Sequence, residues 1–113
     1  MSIEIKERQL GKVTLLELSG RLALGEGSTG LHERINAHFE AGRVNLLLEC
    51  SQVTALDSQG ISALVRGVIS AGKRGGQFKI LKPSPRVRQI LEVTRLFKVI
   101  ETFDDEAKAL ASF

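Results

Sequence analysis

A chain of 113 residues, 42% hydrophobic and 26% charged, has the composition of one ordinary folded domain, long enough to bury a core and too short for two. Its longest unbroken apolar run is three residues, as at Leu46–Leu48, which excludes a transmembrane helix. The opening Met1–Arg8 alternates charges with isoleucines where a signal peptide would have an apolar core. The formal net charge is +3, unevenly placed: residues 1–57 carry six Lys/Arg against eight Asp/Glu, and residues 58–113 carry ten against five. Those basic residues (Lys73, Arg74, Lys79, Lys82, Arg86 and Arg88 among them) are scattered over several elements, with no Tyr or Trp to stack bases. Nucleic acid is therefore disfavoured against an acidic protein partner or a solvated face. One cysteine, Cys50, excludes an internal disulfide, and a cytoplasmic location fits.

Taken in order, Ile3 and Ile5 alternate with Glu4 and Lys6 in a half-exposed strand. Gly11 makes a turn and Val13–Leu18 returns antiparallel to it. Ser19-Gly20-Arg21-Leu22 closes that strand and opens a long loop. A helix is expected from about Thr29 to Ala41, with Leu31, Ile35, His38 and Phe39 on one side and Gly42 as its stop. Val44–Glu49 is apolar on both faces, as a central covered strand would be.

The strand leads through a loop to Asp57-Ser58, where helix-capping chemistry is wanted. Ile61, Leu64, Val65, Val68 and Ile69 then mark an apolar helix face. Gly60, Ala63, Gly67 and Ala71 form a row of small residues on the rest of that helix, suited to close approach by a partner or a neighbouring element. After the turn Gly72–Gly76, Phe78 and Ile80 alternate with Gln77 and Lys79 in a further strand. Ser84-Pro85 opens a helix with Val87, Ile90 and Leu91 inward. Phe97–Ile100 is expected as the last strand, and Asp104 as the cap of a final helix with Ala107 and Leu110 inward. The class is α/β, a mixed sheet with helices packed on it in the order β-β-α-β-α-β-α-β-α, as a single domain over residues 1–113.

Gly25-Glu26-Gly27-Ser28-Thr29-Gly30 matches G-x-G-x-x-G, and Glu49 falls near the distance of a ribose-binding acid. Six residues, Ser19–Leu24, separate the expected strand end from Gly25, whereas the dinucleotide fingerprint begins where the strand ends. Gly67–Arg74 comes within one residue of a phosphate-binding P-loop, but it lies inside an expected helix whose N–H groups are already bonded. Ser58 is not in G-x-S-x-G, His32 and His38 point to different sides of one helix, and Cys50 has no cysteine partner. No catalytic residue, metal site or cofactor is expected, and the chain is expected not to be an enzyme.

The segment L-L-L-E-C-S-Q-V-T-A-L-D-S-Q-G-I-S-A-L-V closely resembles the signature of STAS domains, the fold of bacterial anti-sigma factor antagonists. The element order and the G-R-L at residues 20–22 are similar to the family's too. The resemblance implies that Ser58 is phosphorylated by a partner kinase, with Ser62 and Thr54 as lesser candidates. It also implies an anti-sigma factor and serine kinase of the histidine-kinase-like ATPase type as partner, with a serine phosphatase resetting the switch. By the same resemblance the interaction surface comprises Asp57, Ser58, Gln59, Gly60, Ser62 and Ala63, with Gly25 and Glu26 from the neighbouring loop. Two positions depart from the family pattern: Ala23 stands where members often carry an acid, and Cys50 where they commonly carry aspartate. Two alternatives stand beside this reading, a STAS subunit of a transporter or larger signalling assembly and a small nucleotide-binding module using Gly25–Gly30.

Overall fold

The structure, a computed structural model, describes residues 3–22 and 26–113; the side chains of residues 26–28 lie outside that description. Strand β1 (Ile3–Leu10) turns at Gly11, whose φ of +62° suits a residue without a side chain, and pairs antiparallel with β2 (Val13–Leu22). Helix α1 (Glu26–Glu40) crosses over to β3 (Asn45–Leu56), and α2 (Ser58–Lys73) crosses over to β4 (Gln77–Leu81). Helix α3 (Pro85–Val93) leads to β5 (Thr102–Phe103), and α4 (Glu106–Ala111) follows. The sheet runs β1-β2-β3-β4-β5, with every pair after the first parallel, so the mixed sheet and the expected element order both hold.

One face of the sheet carries the main core. Leu16, Leu18, Leu46, Leu48 and Ile80 meet Leu31, Ile35 and Phe39 of α1, Leu64 of α2, and Val87 and Leu91 of α3. The other face holds a smaller cluster, Val13, Leu15, Leu47 and Leu81, covered by Ala109 of α4. Lys79 is also on this face. Expected to alternate outward, it is 3% exposed instead, because its stem lies under the chain end while Nζ donates to the Ser112 carbonyl and hydroxyl oxygens, both at 2.9 Å. Glu101 at 3.3 Å and the rings of Phe113 at 4.7 Å and Phe103 at 5.7 Å also surround that cation.

Several expected boundaries move. Strand β3 does not end at Glu49 but continues to Leu56, past two irregularities in its register with β2. Each inserts an extra β3 residue, and each insertion flips which side chains face inward. Cys50 therefore sits within the strand, and Thr54 is an exposed strand residue. Strand β2 likewise runs on to Leu22, and α1 opens at Glu26, earlier than Thr29, so Gly27 and Gly30 are helical.

The expected strand at Phe97–Ile100 is instead a short 3-10 helix, Leu96–Lys98. Arg95 enters the left-handed region at φ +61° after α3, and Ile100 N–H bonds back to the Leu96 carbonyl. The last strand is Thr102–Phe103, paired with Ile80 and Leu81. The cap of α4 is Asp105, which accepts from Lys108 N–H, whereas Asp104 pairs with Arg88 at 2.8 Å.

Candidate functional site

The first turn of α2 is built by Asp57. Its backbone is extended, and its Oδ1 accepts from the N–H groups of Gln59 and Gly60, each at 3.0 Å. That satisfies two of the donors a helix start leaves open. Ser58 is thereby the first helical residue rather than the cap: its hydroxyl is not used to hold the helix, and the residue is exposed. Asp57 itself is anchored from behind, its N–H reaching the Leu22 carbonyl at the end of β2 at 3.4 Å.

Helix α2 is rotated relative to the expectation from its apolar pattern. Gly60, Ala63, Gly67 and Ala71 are buried with Leu64, while Ile61 and Val68 flank them half-buried and Ile69 is 52% exposed. A Cβ at Gly60 would lie 2.7 Å from Leu56 Cδ1, and one at Gly67 would lie 2.8 Å from Phe78 Cζ. The small-residue row therefore lets the sheet, and not a partner, approach the helix closely. Ala63, at 4% exposure, belongs chiefly to the core, although it also forms part of the floor of the groove described next.

That groove, of about 440 Å³, runs between α1 and α2 and is lined by Thr29, His32, Ser58, Gln59, Ser62, Ala63 and Arg66. Four of the residues expected at the interface, Ser58, Gln59, Ser62 and Ala63, thus share one concave surface. Asp57 and Gly60 support it from the helix start. Of the two expected from the neighbouring loop, Gly25 lies outside the described residues; Glu26 contributes the first residue of α1, and its side chain is outside the description. Thr29, His32 and Arg66 were not singled out as interface residues. His32 and Arg66 carry no apolar or motif signal; the packing of α1 on α2 brings His32 to the groove, and Arg66 lies about two turns beyond Ser58 on α2 itself.

The two histidines separate as expected. His38 is buried, its Nε2 3.0 Å from Glu7 Oε2 and its Nδ1 accepting from Arg43 Nε–H at 2.8 Å, which ties the end of α1 to β1. Burial pushes the Glu7 carboxyl up, but hydrogen bonds from Arg34 and His38, with their charges, outweigh it and hold the group below its ordinary value. Burial pushes the Cys50 thiol far up, and the neighbouring Glu49 charge adds to the shift.

The dinucleotide reading loses its acid. With β2 ending at Leu22, the gap before Gly25 is two residues and not six, so the earlier objection from spacing falls. Glu49, however, is level with Glu17, five residues back from the Leu22 end of β2, which is about 17 Å along the strands. Its carboxylate is also taken up by Ser51, through N–H at 2.6 Å and Oγ at 3.0 Å. A ribose at the strand ends is out of its reach. The near P-loop at Gly67–Arg74 is, as expected, inside α2 up to Lys73. Among the described residues no cluster of His, Cys, Asp or Glu is placed to hold a metal, and no helix is long and apolar enough to cross a membrane.

The architecture is thus a mixed five-stranded sheet with one antiparallel edge, three helices on its main face and an exposed serine opening the second helix. Residues 4–109 match the STAS domain, and the chain belongs to that family. Among its relatives, the anti-sigma F factor antagonist of Paenibacillus polymyxa is 22% identical over 110 residues, 97% of this chain and 94% of the relative. A Thermotoga neapolitana homolog of TM1081 is 30% identical over 69 residues, so the match spans only 61% of either chain.

Among solved structures, an anti-sigma factor antagonist from Mycobacterium paratuberculosis superposes with a TM-score of 0.86 at 23% identity, covering 98% of this chain and 93% of that one. The Bacillus cell fate determinant SpoIIAA in its phosphorylated form gives 0.75 at 15% identity, covering 96% and 98%. At these identities the superpositions establish the fold.

Proposed function

We propose that this chain is an anti-sigma factor antagonist that acts by binding and is switched at Ser58. In its unphosphorylated form the groove and the start of α2 hold an anti-sigma factor, a serine kinase of the histidine-kinase-like ATPase type, and so free a sigma factor. The kinase moves the γ-phosphate of ATP onto Ser58 Oγ, releasing ADP and ending the complex; a serine phosphatase restores the hydroxyl.

The observation that carries this reading is the division of labour at the helix start. Asp57 caps, so the exposed Ser58 hydroxyl is spared for chemistry, and a charge added there costs the fold little. The contact residues are Asp57, Ser58, Gln59 and Ser62 with the groove-facing part of Ala63, Gly60 serving to seat the helix, and Gly25 and Glu26 extending the surface.

A phosphoserine brings about −1.5 to −2 charges at neutral pH, and an unmatched anion desolvated at an interface typically costs about 2 kcal/mol or more. At about 1.4 kcal/mol per tenfold, that is roughly a thirtyfold loss of affinity. Calorimetric titration of a purified anti-sigma kinase with unmodified and with Ser58-phosphorylated protein measures it. Equal affinity for the two folded forms would leave Ser58 without a switching role.

A further inference from the structure

Two basic side chains border the groove beside Ser58. Arg66 is exposed, and among the described residues it forms no ion pair with a carboxylate. His32 comes from the facing helix, and its Nε2 lies 3.1 Å from Asn36 Nδ2. An amide nitrogen only donates, so Nε2 is the accepting nitrogen and the ring proton resides on Nδ1, the other edge of the imidazole. With them, Thr29 and Ser62 give the groove two more hydroxyls beside that of Ser58, and among the described residues no carboxylate lines it.

We propose that this groove is the receptor for the phosphate of its own phosphorylated Ser58, with the Arg66 guanidinium as the principal pairing group and His32 as the second. The inference rests on the reading of Ser58 as the modified residue. Arg66 lies eight residues beyond Ser58, about 12 Å along the helix, and helical side chains lean toward the N-terminus. A long arginine thus reaches back over Ser62 toward the helix start, and Arg66 and Ser58 already border the same cavity.

The ligand is a phosphomonoester dianion, for which an arginine fork and an imidazole donor are matched partners. They have work to do, because the Asp57 carboxylate stands beside the phosphate and opposes its second ionisation. Phosphorylation then does more than add charge: it draws Arg66 and His32 onto the phosphate and removes a cation and a hydrogen-bond donor from the surface a partner meets.

The test needs neither kinase nor partner. Phosphoserine is incorporated at position 58 during synthesis, and the second ionisation of the phosphate is followed by ³¹P NMR. In the otherwise unaltered protein it should fall below the ordinary value of about 6, and Arg66→Gln should raise it by at least half a unit, about a threefold change in proton affinity. Arg66→Lys should restore part of the shift. The His32 ring should titrate at higher pH in the phosphorylated protein than in the unmodified one.

An unchanged phosphorus titration in folded Arg66→Gln overturns the proposal. Should that variant fail to fold, the Arg66 side-chain NMR resonances of the parent protein decide: a shift on phosphorylation supports pairing and no shift refutes it. If pairing is seen but the partner binds both forms equally, it is the switching function that fails. If switching is seen without pairing, only the intramolecular receptor is wrong.

Discussion

Gly60→Ala tests whether the start of α2 is seated on the sheet as closely as the structure shows. The added methyl would fall inside van der Waals contact of the Leu22 carbonyl oxygen, 2.7 Å from Leu56 Cδ1 and 3.1 Å from Leu22 Cγ. Leu22 and Leu56 are register partners at the ends of β2 and β3, so neither backbone can swing aside cheaply. The same carbonyl accepts the Asp57 N–H, and the Gly60 N–H is bound to Asp57 Oδ1, so lifting the helix strains the cap as well.

Replacing glycine in a helix with alanine gains up to about 1 kcal/mol of propensity. Overpacking against rigid neighbours costs about 1–3 kcal/mol and a damaged cap about 1 more. The net expectation is a loss of about 2 kcal/mol, or about 8 °C in melting temperature for a chain of this size. Thermal and urea unfolding followed by circular dichroism measure it. Gly30→Ala in α1 is the control: nothing lies within 4 Å of its Cβ, so the propensity gain should appear uncancelled, stabilising by about 0.5–1 kcal/mol. A Gly60→Ala protein as stable as the parent would refute the close seating of α2.

Three further outcomes are expected. Asp57→Ala should lower stability by about 1 kcal/mol while Asp57→Asn, an equally good cap, nearly preserves it; urea midpoints showing equal loss for both would mean that charge and not capping holds the helix start. Because the folded-state ionisation of Glu7 is held below its ordinary 4.5, its stabilisation is fully present above that value and is lost as pH falls through the lower folded value. Glu7→Gln should therefore flatten the decline in urea midpoint over that acid range, and an unaltered slope would remove Glu7 from the account. Cys50, 1% exposed and with its thiol pushed far up by burial, should resist thiol reagents at neutral pH until the protein unfolds, which a labelling time course under increasing urea will show.

Much of this fold is legible in local pattern. Leu31, Ile35, His38 and Phe39 fall on one side of α1 by helical spacing, and all four are buried. Gly42, at φ +86°, lies just past that helix. Ser84 caps α3 by accepting from Val87 N–H at 3.2 Å, with Pro85 at the first helical position. These features depend on residues a few positions apart, so the sequence contains their whole cause. The same is true of Asp57-Ser58 as the start of α2, and of the motif that relates the chain to its family.

What depends on distant neighbours was not readable. Alternation along β3 breaks twice because extra residues are inserted opposite β2, and only the pairing reveals that Val53 and Leu56 face inward with Leu46, Leu48 and Cys50. Hydropathy alone turns Ile69 toward the sheet; the Phe78 ring and the Leu22 carbonyl instead require the glycine and alanine row, since only small residues let α2 come so near. Lys79 reads as an outward strand residue until the chain end folds across it. His32 joins Ser58 and Arg66 in one groove solely because α1 packs beside α2. Sequence by itself determined the order of elements, the caps of α2 and α3 and the serine; tertiary structure decided which face of α2 is inside and what surrounds the serine, because those are settled by how closely separate elements can approach, a property that no single stretch of chain carries.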